Sequence, residues 1–325
     1  MRGLKVRYIA VPGGASVFSC SGSGASVRVP DEIGGLPVRE IGAYAFSSPE
    51  TAGAQLPPGA EIREALTDEA EAPGGGERFL GGASLREIRL PSGLRSIGAY
   101  AFYNCTGLSL LSLGEGPAQV GNGAFMNCAA LGRIAVVAPA GAKTCLRGIL
   151  AELQREVRVV FRSEKEESVW IFPEYYEESV ENCPARIFEH FIHGAGFRYR
   201  QCFRGDGLDA EGYDAQFPLA RSETAPETLL RIALERLRRP VHLTEAAAER
   251  YRSCLKNNAA AAACLLVRED DPDGLLFLSA NGVFTPESLA AAAEEASRLE
   301  RAECLCVLLD ERHRRFAPKK KTYDL

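Results

Sequence analysis

Three groups of side chains in this sequence have the types and spacing that chemistry requires. His190 and His193 lie three apart in Pro184 to His193, where Ile187, Phe188 and Phe191 have helical spacing, so both imidazoles could face one metal ion. Glu189 falls on the wrong side of that helix and no H-E-x-x-H order is present, so the pair reads as part of a polar helix face. Arg198, Arg200 and Arg204 sit among Phe197, Tyr199 and Phe203. That mixture suits a phosphate or carboxylate ligand, and it equally suits guanidinium groups stacked on rings at a domain surface. Glu269-Asp-Asp-Pro-Asp-Gly274 opens like a calcium loop, but its twelfth position is Ala280 where a bidentate Glu is required, which leaves a turn.

The thiols and the basic tail fare no better as chemistry. Cys304 and Cys306, two apart on an expected helix, point to different sides and form no redox pair. Cys105 and Cys128 recur at matching positions of a repeat, each without a second ligand nearby, and read as packing positions beside Asn104 and Asn127. Arg312, Arg314, Arg315, Lys319, Lys320 and Lys321 make a basic run that reads as a solvated terminus. Catalysis needs a convergent set and only single members are found, so no catalytic residue, cofactor or metal ligand is assigned. An enzyme with its site in 170–217 remains an alternative.

The elements that would have to position these residues begin with a repeat. Leu85, Leu108 and Leu131 recur every 23 residues, followed at constant offsets by Ile88 and Leu90, Leu111 and Leu113, and Ile134 and Val136. Between the triplets stands a second shared phrase, Ile97-Gly-Ala-Tyr-Ala-Phe102-Tyr-Asn-Cys105 and Val120-Gly-Asn-Gly-Ala-Phe125-Met-Asn-Cys128. So short a period predicts a solenoid, in which each coil is one strand plus a turn and buries its apolar face only against its neighbours. Phe46, Phe79, Phe102 and Phe125 are expected to form one aromatic column, with Gly42, Gly98 and Gly121 at a left-handed bend. The step from Phe46 to Phe79 is 33 residues, so one coil is swollen by an insertion within 48–78, rich in Pro, Gly, Ala and acidic residues. It reads as a surface excursion.

Around the repeat, residues 1–29 read as a capping hairpin, with strands Val6 to Val11 and Ser26 to Val29 on either side of the Gly/Ser-rich Ser19 to Gly24. The solenoid is expected over 30–162, closed by a helix within Lys143 to Glu156 and a strand at Val157 to Phe161, with 163–168 as linker. Residues 169–325 are expected to be a helical domain. Its helices after Thr224 run Pro226 to Arg238, Glu245 to Lys256, Ala259 to Arg268, Pro272 to Ser279, Pro286 to Glu300 and Ala302 to Arg314. Thr285-Pro-Glu-Ser supplies an N-cap followed by Pro at the first helical position. The fold class is therefore α+β.

The phrase I-G-x-x-A-F-x-x-C-x-x-L-x-x-I-x-L, preceded by Pro30-Asp-Glu-Ile-Gly-Gly-Leu-Pro-Val38, resembles the leucine-rich repeat subclass of bacterial surface-protein A-like (BspA-type) proteins, over roughly residues 5–137. The resemblance implies a right-handed solenoid with a strand-lined face that binds proteins or surfaces. Many relatives are exported adhesins, and an adhesin is the alternative that ranks ahead of the enzyme. Residues 244–315, with Thr285-Pro-Glu-Ser-Leu and Cys306-Val-Leu-Leu-Asp, resemble degenerate ankyrin-type repeats.

If each L-x-x-L-x-L is a strand, the residues flanking its middle apolar position point away from the core. They are Glu87 and Arg89, Leu110 and Ser112, and Arg133 and Ala135, and they are the candidate protein-binding face. A composition of 46% hydrophobic and 25% charged residues fits an ordinary folded protein, and a net charge of −5 gives no reason to expect nucleic acid. Met1 to Pro12 alternates charged and apolar side chains without a continuous apolar stretch, and no run approaches the ~20 apolar residues of a membrane helix. With its ten scattered cysteines read as buried hydrophobes, the chain is expected in the cytoplasm as a scaffold for an unidentified protein partner, away from membrane and nucleic acid.

Overall fold

Pro12 and Gly13 make the first decision of the chain. They form a two-residue turn, with Gly13 at φ 84°, that folds β1 (Leu4–Val11) back on β2 (Gly14–Gly22) as an antiparallel hairpin. A computed structural model of the chain describes residues 4–67, 78–114, 119–182 and 187–316. Within it the chain divides into two units, Met1–Thr224 and Ala225–Leu325. The expected cap is thus a hairpin, but with its second strand elsewhere. Ser26–Arg28 is β3, which pairs in parallel with the first repeat strand, because its single inward residue, Val27, matches Ile88 in the triplet.

The repeat lays down two sheets. β4 (Glu32–Ile33) turns into β5 (Leu36–Ile41). Next come β6 (Arg63–Thr67) and β7 (Arg78–Phe79), then β8 (Glu87–Arg89), β9 (Ser96–Ile97), β10 (Leu110–Leu113), β11 (Gln119–Val120) and β12 (Arg133–Val136). Helix α1 (Leu146–Ala151) leads to β13 (Val157–Arg162) and β14 (Glu167–Phe172). The triplet strands form a six-stranded sheet in the order β14-β13-β12-β10-β8-β3, parallel except for the β13–β14 hairpin. The second sheet runs β11-β9-β5-β2-β1-β6.

Side chains and backbone both join successive coils. Phe46 stacks on Phe102 at 5.1 Å between ring centroids and Phe102 on Phe125 at 4.9 Å, all three fully buried. Phe79 is not in this column: it is half-buried on β7, paired with Ser21 of β2. The stretch between Phe46 and Phe102 is therefore a single coil, and Arg63–Thr67 within it becomes a strand on the free edge of β1. The turns are tied by backbone bonds from the Phe46 N–H to the Ala101 carbonyl and from the Phe102 N–H to the Ala124 carbonyl, both 2.8 Å. The Cys105 and Cys128 thiols donate to the Phe46 and Phe102 carbonyls at 3.1 and 3.2 Å.

The glycines serve close approach, not a left-handed bend. A Cβ on Gly98 would lie 2.5 Å from the Ala43 nitrogen, and one on Gly121 2.5 Å from that of Ala99. The left-handed residue comes later in each turn, at Tyr44 (φ 56°), Tyr100 (φ 57°) and Gly123 (φ 66°). Asn104 and Asn127 are also left-handed, a conformation Asn tolerates, and they are exposed, with Asn127 Nδ2 donating to Asn104 Oδ1 at 2.9 Å.

The array closes with substitutes for a further coil. Phe125 N–H, which in an earlier coil would find the next carbonyl, donates instead to Glu152 Oε2 at 2.6 Å. The expected linker at 163–168 is instead the turn of the β13–β14 hairpin: Ser163 N–H donates to the Glu166 carbonyl at 2.9 Å, and Val169, Trp170, Ile171 and Phe172 extend the core. Beyond it stand β15 (Tyr176–Asn182) and β16 (Ile187–His193), α2 (Gly196–Tyr199), β17 (Phe203–Arg204), β18 (Gly207–Leu208) and α3 (Ala210–Ala220). The expectation of helix over this part fails. Pro184 to Arg186 lie outside the described residues, and Ile187–His193 pairs antiparallel with Tyr176–Asn182. Tyr213 on α3 seals the outer edge of β14: its hydroxyl accepts the Ile171 N–H at 3.1 Å and donates to the Ile171 carbonyl at 2.5 Å.

The second unit holds helices α4 (Pro226–Arg238), α5 (Glu245–Asn257), α6 (Ala259–Arg268), α7 (Pro272–Ala280), α8 (Pro286–Arg298) and α9 (Ala302–Phe316). α4 packs on α5, α6 on α7 and α8, and α9 on α7 and α8. Buried Ala259, Ala262 and Ala263 of α6 and Ala292 and Ala296 of α8 leave little side chain between the backbones. Asp271 caps α7 by accepting the Gly274 N–H at 2.8 Å, so the imitation calcium loop is a helix start. Thr285 caps α8 in a box with Ser288.

Candidate functional site

The six residues expected to face outward lie side by side on the six-stranded sheet. β8 and β10 alternate so that Ile88, Leu111 and Leu113 are buried while Glu87, Arg89, Leu110 and Ser112 are not, and β12 repeats the pattern with Arg133 and Ala135 outward. The register sets Leu110 opposite Glu87 on one side and Arg133 on the other, and Ser112 opposite Arg89 and Ala135. Two further strands, not counted in the sequence reading, widen this face. β3 adds Ser26 and Arg28, and β13 adds Arg158 and Val160. The alternation around Val27 and of Val157, Val159 and Phe161 carries the signal for both, but by sequence alone one strand reads as part of the cap and the other as part of the closing core.

One end of the face is fixed by a polar clamp. Asp31 Oδ1 accepts the Ser92 N–H at 2.7 Å and the Ser92 hydroxyl at 2.8 Å, tying coil to coil beyond the strand ends. These bonds from Ser92, with the charges of Arg28 and Arg89 behind them, hold the Asp31 carboxyl below its ordinary range. A recess of about 210 Å³ opens there, lined by Arg28, Asp31, Arg89 and Ser92 with Leu113 and Val137. A wider groove of about 810 Å³ beside the other sheet carries Glu40, Arg95, Arg147 and Asp206, charges of both signs without a common focus.

The residues that could have done chemistry are held apart. His190 and His193 occupy one strand at an odd separation and so face opposite sides; His190 bonds to the Ser179 hydroxyl at 2.9 Å, and His193 to Glu178 at 2.9 Å. Arg198 pairs with Glu223, and Arg204 with Asp209 and Glu211. Arg200 is buried, 3% exposed, and gives its N–H groups to the carbonyls of Leu150, Leu153, Arg155, Pro173 and Gly196 while stacking on Tyr175. Burial pulls its pKa down to about 10, which leaves it charged at neutral pH and makes it a tie between segments. Cys105 is pushed up to about 12 by burial, which removes its thiolate character. Among the described residues no three His, Cys, Asp or Glu side chains converge as a metal site, and no helix is long and apolar enough to cross a membrane.

A leucine rich cell surface protein from Faecalibacterium prausnitzii A2-165 is 17% identical over 43% of this chain and 30% of its own, with a TM-score of 0.27. A leucine rich repeat protein from T. pallidum is 23% identical over 39% of this chain and 67% of its own, with a TM-score of 0.22. The chain thus spans under a third of the first of these, and no curated protein matches it. The repeat itself is similar to a defined family: residues 75–142 match the model of the BspA type Leucine rich repeat region (6 copies).

Proposed function

We propose that the protein is a non-catalytic interaction scaffold whose six-stranded sheet receives a protein partner on its outward face. The observation that carries this reading is the register. Backbone bonds between strands hold outward side chains from β3, β8, β10, β12 and β13 in aligned rows, a surface that needs no rearrangement to bind. The repeat family supports it, since leucine-rich repeats generally mediate protein contacts.

The helical unit is a second module built of stacked helix pairs of the ankyrin type. Support comes from α6 packing on α8 and α7 on α9, so that corresponding members of the α6–α7 and α8–α9 pairs meet. The working compartment is the cytoplasm. The thiols of Cys105 and Cys128, which donate hydrogen bonds in the core, are supported best where cysteines stay reduced.

The test is a photo-crosslinking amino acid placed at Ser112, on the sheet face, and at Met126, on the turn side, with expression in the native host. Adducts from position 112 that are absent from position 126 are the expected result. Adducts from 126 alone overturn the assignment of the face, and recovery of the protein outside the cell overturns the compartment.

A further inference from the structure

The outward face carries an arrangement that its fold does not require. Arg28 stands directly opposite Arg89 across β3 and β8, and Arg133 directly opposite Arg158 across β12 and β13. In each pair two guanidinium groups share one side of the sheet on adjoining strands, and like charges so placed weaken a sheet. Arg28 and Arg158 each keep another interaction within the fold, and Asp31 lies beside the first pair. Arg89 and Arg133 are exposed. Between the pairs lie Leu110, Ser112 and Ala135, with Val160 beside Arg158.

Strand spacing sets the scale. The pair midpoints are three strand intervals apart and one two-residue step along the strands, which is about 16 Å, or about five residues of extended chain.

We propose that this face binds an extended acidic protein segment. Two carboxylate-bearing positions four or six residues apart, an even separation that keeps both on one side of an extended segment, meet the Arg28–Arg89 and Arg133–Arg158 pairs, and the residues between them lie on Leu110 and Ala135. The proposal rests on the reading of this face as the binding surface and adds the chemistry of the partner. A planar guanidinium fork recognises a carboxylate in two-point fashion, and a bound carboxylate removes the repulsion within each pair. A nucleic acid strand fits less well, because its charge is continuous whereas Glu87, Leu110 and Ser112 interrupt the arginines.

The experiment is selection of random peptides displayed on phage against the full-length chain, with the Arg89→Glu/Arg133→Glu double variant as counter-selection. Binding of individual peptides is then followed by fluorescence anisotropy. Selected peptides are expected to carry Asp or Glu at two positions four or six apart. Changing those residues to Asn or Gln, or using the double variant, weakens binding at least about tenfold. Arg89→Gln and Arg133→Gln give the same direction of loss while melting at or above the wild-type temperature, which separates lost recognition from lost folding.

Neutral or basic selected peptides overturn the acidic partner; if Leu110→Lys still abolishes their binding, the sheet face survives as the surface. Peptides insensitive to Leu110→Lys and to the arginine variants overturn both. A short single-stranded oligonucleotide that displaces acidic peptides through the same arginines replaces the protein segment with nucleic acid and overturns the proposal.

Discussion

The two units of this chain hold themselves together by opposite means. In the solenoid the coils are joined by the backbone, through the sheet ladders and the carbonyl bonds of Phe46, Phe102 and their neighbours, and each coil contributes one ring to the aromatic column. In the helical unit the backbone bonds are used inside each helix, so contact between helices falls to side chains. Alanine and leucine fill the interior, and an ion-pair row runs from Arg231 through Glu227, Arg268 and Glu295 to Arg298 across α4, α6 and α8. Arg238 with Asp271 and Arg301 with Asp270 extend the same device. These charged side chains of the helices are thus occupied with cohesion, whereas Arg89 and Arg133 on the six-stranded sheet stand exposed to solvent. That contrast is the physical reason for looking to the sheet for recognition.

The comparison breaks most sharply at the column. Phe102→Ala empties a site between two stacked rings and is expected to cost about 3–5 kcal/mol, lowering the urea midpoint of unit 1 while unit 2 unfolds as before. Loss of both transitions together would show that the units do not unfold separately. Gly98→Ala, which drives a methyl group into the Ala43 backbone, should cost about 1–3 kcal/mol in the same transition. Glu152→Ala leaves the Phe125 N–H without its carboxylate and should cost about 1–2 kcal/mol, with faster amide exchange at Phe125 as the local sign.

Two smaller effects sharpen the contrast. Glu295→Gln weakens the row on the helices, so the unit 2 midpoint should fall slightly at low salt and match wild type at high salt. An effect of equal size at high salt would mean that packing, not charge, was lost. Asp31 has its pKa lowered from the ordinary 3.8, so its contribution is present above that value and lost as pH falls through the depressed one. The stability gap between wild type and Asp31→Asn should therefore be flat near neutrality and close in acid. A gap that opens on acidification would reverse the assignment.

How far the sequence revealed this molecule depended on where periodicity was strong. The 23-residue interval disclosed the solenoid, and alternation within Leu85 to Val136 placed Glu87, Arg89, Leu110, Ser112, Arg133 and Ala135 on one face. The helices after Thr224 were legible because caps such as Thr285 and proline at the first turn mark their starts. The region from Trp170 to Phe217 was not, for two reasons. β14 is buried on both faces and so shows no alternation, and Ile187, Phe188 and Phe191 satisfy helical spacing although a partner strand settles the segment as extended. Arg28 and Arg158 were missed for a related reason, since their strands belong to the sheet only through pairings remote in sequence. The glycines of the repeat stand out in the sequence as candidates for a left-handed bend, whereas the fold uses them for close approach. Their need for closeness is set by the adjoining coil, which no single repeat displays.

The carboxylate that Glu152 offers to Phe125 has an evolutionary reach. Because one side chain answers the last ring's amide as another winding would have done, a duplicated 23-residue unit could be spliced in after Cys128 and meet the same terminator. The breadth of the platform is then a dimension that gene duplication can tune, one strand at a time, without redesign of either end.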